Sequence, residues 1–170
     1  MLEPWLRGTL TEVDAVKRQV LHALELAHED AERWCAPLDD RQIADRPWGV
    51  APVCFHLRHI VRSLDRLLTY AEGRQLTSDQ LTDLATELDP PTTTVDVLDE
   101  FRAGIGQAAT RVRAFDPGSY EEKRGVGRQR MPTTVGGLLV HCAEHTQRHI
   151  GQAITTAQIV VGANNKVERG

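Results

Sequence analysis

The chain has 170 residues, enough for one domain with a proper core, and its 41% hydrophobic, 26% charged and only 5% aromatic residues suit a helical protein better than a strand-built barrel or sandwich. Its 20 Lys+Arg against 24 Asp+Glu leave a net charge of −4 with His neutral, which denies it a global basic field and argues against generic nucleic-acid binding. Met1-Leu2-Glu3-Pro4-Trp5 lacks the start of a secretory signal, no stretch nears the ~18 apolar residues of a membrane span, and Cys35, Cys54 and Cys142 form no CxxC, so a cytoplasmic protein without a disulfide framework, off the membrane, is expected.

From Leu10 to about Trp34, Leu10, Val13, Val16, Val20, Leu24 and Ala27 recur three or four apart and predict a long amphipathic helix, A. Pro37, Asp39, Asp40, Pro47 and Gly49 make Cys35 to Gly49 a connection. Pro52 suits a helix start, and Val53, Leu57, Ile60, Leu64, Leu67 and Leu68 carry helix B until Gly73. Thr77 with Gln80 three residues on resembles a capping box, predicting a short helix over about Ser78 to Leu88 before Pro90-Pro91.

Thr93, with Asp96, caps helix C through Val95, Leu98, Phe101, Ile105, Ala108, Ala109 and Val112, ending near Asp116-Pro117-Gly118. Ser119 to Pro132 reads as an exposed loop or short hairpin. Thr133 or Thr134 caps helix D, which runs through Val135, Leu138, Leu139, Cys142, Ile150, Ala153, Ile154 and Ala157, leaving a polar, frayed tail from about Gly162. The expectation is an all-α, four-helix bundle with short extra helices in the connections, one domain over 1–170.

Five of the seven histidines fall in two clusters, His56/His59 on B and His141/His145/His149 on D. At roughly 100° per residue the D triplet occupies an arc of about 80° on successive turns. Cys142 and Ala153 place the apolar centre of D on the His149 side, so His145 and His149 face the interior and His141 points away. On B, projection favours His56 for burial but does not choose a ligand between His56 and His59. Two imidazoles from D and one from B would leave a divalent ion with open positions for water or substrate; the competing reading is a solvated histidine face. The residue after His141 is Cys142, so no HExxH zincin motif is formed.

His56-Leu57-Arg58-His59-Ile60-Val61-Arg62-Ser63-Leu64-Asp65-Arg66, with His141-Cys142-Ala143-Glu144-His145-Thr146-Gln147-Arg148-His149-Ile150-Gly151-Gln152, resembles the two halves of the DinB-like, YfiT-like family signature, and the resemblance covers most of the chain. It implies a four-helix bundle, commonly a homodimer, with a divalent metal held by three histidines from the second and fourth long helices. Carried over position by position, it implies His59, His145 and His149 as metal ligands, with His56 and His141 flanking them. Imidazole donors suit zinc or nickel.

Relatives in that family include transferases and isomerases that use a low-molecular-weight thiol (bacillithiol, mycothiol or glutathione). The resemblance therefore implies a metal-dependent enzyme on a small-molecule substrate, with thiol-dependent S-transfer among its reactions. The alternative is a non-catalytic, metal-stabilised bundle serving as a stress-response or interaction module. No acid or base is assignable: Glu144 projects about 100° from His145.

Several neighbours invite a role. Cys54 and Cys142 adjoin the histidines but read as packing residues. Gln152 is a candidate to orient a ligand, Gly151 to permit close helix approach, and Trp48 to cover the pocket mouth or anchor its loop. Lys123, Arg124, Arg128 and Arg130 read as a solvated segment, with help to an anionic substrate as the functional alternative. Ligation requires neutral histidines, so metal affinity is expected to fall as pH drops through the free-imidazole range near ~6.5.

Overall fold

Asp14 opens the first helix: its carboxylate accepts from the Lys17 amide at 3.2 Å, and α1 runs Ala15–Trp34. The apolar repeat begins at Leu10, but Leu10 takes a left-handed φ of 58° and the helix waits for the cap. The computed structural model describes residues 2–89 and 93–167. In it α2 spans Val53–Ala71, with Gly73 at φ +76° just beyond, where the lack of a Cβ makes the reversal inexpensive.

Helix α3, Ser78–Ala85, carries the reciprocal capping box of Thr77 and Gln80. It ends before the expected Leu88, because Thr86 to Leu88 form a turn. Helix α4, Thr94–Ala114, starts from the Thr93 cap, whose hydroxyl accepts from the Asp96 amide at 3.1 Å. The charged segment after it is a hairpin: β1 (Lys123–Val126) pairs antiparallel with β2 (Met131–Thr134), Lys123 opposite Thr134. Thr134 Oγ1 then accepts from the Gly137 amide at 3.1 Å, and α5 runs Val135–Val167. The tail expected from Gly162 is thus helical to Val167, and residues 168–170 lie outside the described ones.

The four long helices pack in the cyclic order α1, α5, α2, α4. Val53, Leu57, Ile60, Leu64 and Leu68 of α2 meet Leu139, Ile150 and Ala153 of α5, Leu24 of α1 and Phe101 of α4 in one core. Each buried aliphatic or aromatic side chain in it contributes about 1.5–3 kcal/mol relative to exposure. Thr146, fully buried, continues the α5 stripe between Cys142 and Ile150.

Close helix approach occurs at Gly104, not Gly151. A Cβ built on Gly104 of α4 would lie 2.4 Å from Val61 Cβ of α2, whereas one on Gly151 would meet nothing within 4 Å. Among the described residues no helix is long and apolar enough to cross a membrane.

Candidate metal centre

His59 precedes Ile60 on α2, and His145 and His149 flank Thr146 and Ile150 on α5, so all three sit beside the apolar stripes where the two helices meet. One ligand atom from each lies within 4.8 Å of the others, a group able to hold a metal ion. His59 Nε2 is 3.3 Å from His145 Nε2. Two nitrogens at ~2.0–2.1 Å from one tetrahedral zinc would be about 3.3–3.4 Å apart, so this edge already has the length a shared ion needs.

Two of the three donors are held neutral by their surroundings. Burial, reinforced by the neighbouring imidazoles, pushes His145 down to about 4, and burial with the His59 and Arg148 charges does the same for His149. Both are therefore neutral well below the free-imidazole range, so at these two rings protons compete only below ~6.5. Among the described residues His145 Nδ1 is buried without a hydrogen-bond partner, so the ring's other nitrogen, turned into the group, is its polar outlet.

Two histidines of the sequence clusters stand outside the group. His56, only 6% exposed, is the deeper residue of its pair, as helical projection suggests, and its Nδ1 lies 3.2 Å from His149 Nδ1. Burial depresses it to about 4 as well. His141 faces outward, its Nδ1 3.3 Å from Glu144.

Two residues that sequence reasoning missed complete the surroundings. Phe55 stacks on His59 with centroids 5.2 Å apart and planes 17° from parallel. Glu87, from the turn after α3, is 6% exposed, and its Oε2 accepts from His59 Nδ1 at 2.7 Å while Oε1 lies 2.8 Å from Arg66 Nη1. Burial raises the Glu87 carboxyl, but the bonds from His59 and Arg66 outweigh it and hold the group below its ordinary range. Nothing local in the sequence marks either residue; a lone Glu in a polar turn 28 positions from its partner has no periodicity to reveal it.

A cavity of about 230 Å³ has one member of the group, His145, in its lining, together with Ser63, Arg66, the outward-facing His141 and apolar walls that include Leu67, Tyr70, Leu76, Leu84 and Val126. A second, of about 440 Å³, lies beyond His56 and is lined by Arg148, Gln152 and Thr155 among others. Gln152 belongs there rather than beside the three histidines. A larger cavity of about 800 Å³ between the N-terminal segment and α1 holds none of the clustered histidines, so the donors, not size, locate the chemistry.

The family model of the DinB superfamily matches residues 23–153. The chain belongs to the DinB superfamily. No curated protein matches it. In this DinB protein both clusters lie inside the matched span, and the bundle accounts for how α2 and α5 bring them together.

The remaining candidates take other parts. Trp48 is 86% exposed at φ +51° and lines none of these cavities, so it does not cover the mouth. Arg124 Nε donates to the Ala71 carbonyl at 2.8 Å, tying the hairpin to the end of α2 rather than reaching the histidines. Cys35, Cys54 and Cys142 are free and buried; burial raises all three thiols, Cys35 and Cys142 to about 12.

Proposed function

We propose that this DinB protein is a divalent-metal-dependent enzyme acting on a small molecule, with His59, His145 and His149 as the ligands and thiol-dependent S-transfer as the reaction. The observation that carries the reading is the 230 Å³ cavity lined by His145, one of three imidazoles that converge within 4.8 Å of one another. When bound, a zinc or nickel ion held by neutral donors keeps its full charge and makes a water or thiol nucleophilic at neutral pH.

The chain's own residues supply the rest. Leu67, Tyr70, Leu76 and Leu84 offer an apolar wall for the body of a small substrate, and Phe55 stacks on the His59 ring. The protein's thiols are buried and protonated, so the reacting sulfur comes from an external low-molecular-weight thiol. Glu87 is committed to His59 and Arg66, which leaves it no role as a free base. That commitment also favours the competing reading, a non-catalytic bundle whose metal serves stability.

The reading carries with it a cytoplasmic homodimer that binds neither nucleic acid nor membrane, in keeping with the net charge of −4. The test is turnover by metal-loaded, tag-free protein of small electrophiles offered with a panel of thiols. Thiol-dependent turnover that His149→Ala abolishes supports the enzyme; full metal occupancy with no turnover, and a large fall in melting temperature on chelation, supports the structural role.

A further inference from the structure

We propose that Glu87 is a positioning residue that fixes His59 as its Nδ1–H tautomer and so turns the Nε2 lone pair toward His145 and His149. The proposal rests on reading those histidines as a metal group. A neutral imidazole carries its hydrogen on either nitrogen, and the partner of one nitrogen decides which form persists. A carboxylate only accepts, so the 2.7 Å contact from His59 Nδ1 to Glu87 Oε2 requires the hydrogen on Nδ1. In the neutral ring the other nitrogen is then a lone pair, and it is the one 3.3 Å from His145 Nε2.

Glu87 is itself held from behind. Its second oxygen forms an ion pair with Arg66 Nη1 at 2.8 Å. The segment that carries it is pinned by two more arginines spaced one turn apart along α2. Arg62 Nη1 donates to the Asp83 carbonyl at 2.9 Å and to Thr86 Oγ1 at 3.2 Å, and Arg58 Nη1 donates to the Asp89 carbonyl at 2.9 Å. Helix α2 thus presents His59 and also anchors the turn whose carboxylate orients it. Carboxylate partners of this kind govern the orientation and basicity of metal-ligating histidines.

The test reads the tautomer in metal-free protein, using ¹⁵N-histidine labelling and long-range ¹H–¹⁵N correlation with His59→Asn for assignment, alongside zinc affinity by competition with a chelator. Wild type should show His59 as Nδ1–H. Glu87→Met should mix the two forms and weaken zinc binding roughly 10- to 100-fold. Glu87→Gln, whose amide oxygen still accepts, should recover the tautomer and most of the affinity. Gln80→Ala removes bonds from α3 to Asp65 and Thr69 without touching Glu87, and should lower the unfolding midpoint while leaving tautomer and affinity unchanged.

A merely structural Glu87 would behave like Gln80, with His59 still Nδ1–H in Glu87→Met, and that result would overturn the proposal. The wild-type spectrum can overturn it alone, however the variants fold, by showing His59 as Nε2–H or mixed. Wild type that takes up no zinc yet keeps His59 as Nδ1–H would contradict the metal reading and support the tautomer claim.

Discussion

His56 Nδ1 of α2 lies 3.2 Å from His149 Nδ1 of α5, so one ring donates to the other and the two helices are joined directly behind the metal group. On the proposed metal reading His149 is the donor of the pair, which leaves its Nε2 free. The more buried histidine of the α2 pair then supports a ligand, and the less buried one, His59, is the proposed ligand.

This division predicts the outcome of alanine substitutions. His59→Ala, His145→Ala and His149→Ala should each lose stoichiometric divalent metal, because two imidazoles hold an ion far more weakly than three. His56→Ala should keep one ion per chain with affinity lowered by roughly tenfold, as for loss of a partner behind a ligand. Elemental analysis of tag-free protein checks the series. Full occupancy in His59→Ala with loss in His56→Ala would reverse the assignment.

The pH dependence follows from depressed histidines. His56, His145 and His149 sit near 4 in the fold against about 6.5 for an unburied ring. Between those values the unfolded chain binds protons that the native rings refuse, so stability of the metal-free protein should fall as pH drops from about 6.5 to about 4 and level off above. At His145 and His149 protons should compete with zinc only well below the free-imidazole range, toward the value of about 4 that burial gives them. Urea unfolding and chelator competition at a series of pH values measure the two effects.

The α2–α4 contact gives a prediction independent of metal. Gly104→Ala would force a methyl against Val61, 2.4 Å away, and should destabilise the protein by about 1–3 kcal/mol through overpacking. Val61→Ala combined with it keeps the Cβ but removes Cγ1 and Cγ2, 2.6 and 3.2 Å from the added methyl, and should restore part of the loss, a coupling that a double-mutant cycle on chemical denaturation resolves.

The long helices were legible because their apolar residues recur at helical spacing, and Thr77, Thr93 and Thr134 mark three starts through side-chain chemistry that acts within three residues. Burial order on α2 was legible for the same reason: projection separates His56 from His59 by angle alone. Which of the two belongs to the donor group was not, since that depends on how α2 is rotated against α5. The family resemblance, not periodicity, pointed to His59. Glu87 and Phe55 escaped because their roles arise from tertiary contacts, and Gly151 misled because a glycine in a helix carries no sign of what faces it. The close approach is at Gly104 instead.

The most direct measurement is the absorption spectrum of the fully cobalt-substituted protein titrated with low-molecular-weight thiols. Three histidine ligands with an open position facing the 230 Å³ cavity predict that a thiol adds sulfur-to-metal charge-transfer absorption, and that His149→Ala, lacking the site, does not show it. A spectrum that stays unchanged with every thiol in protein shown to carry one cobalt per chain would contradict the open, reactive centre and leave a closed, structural one.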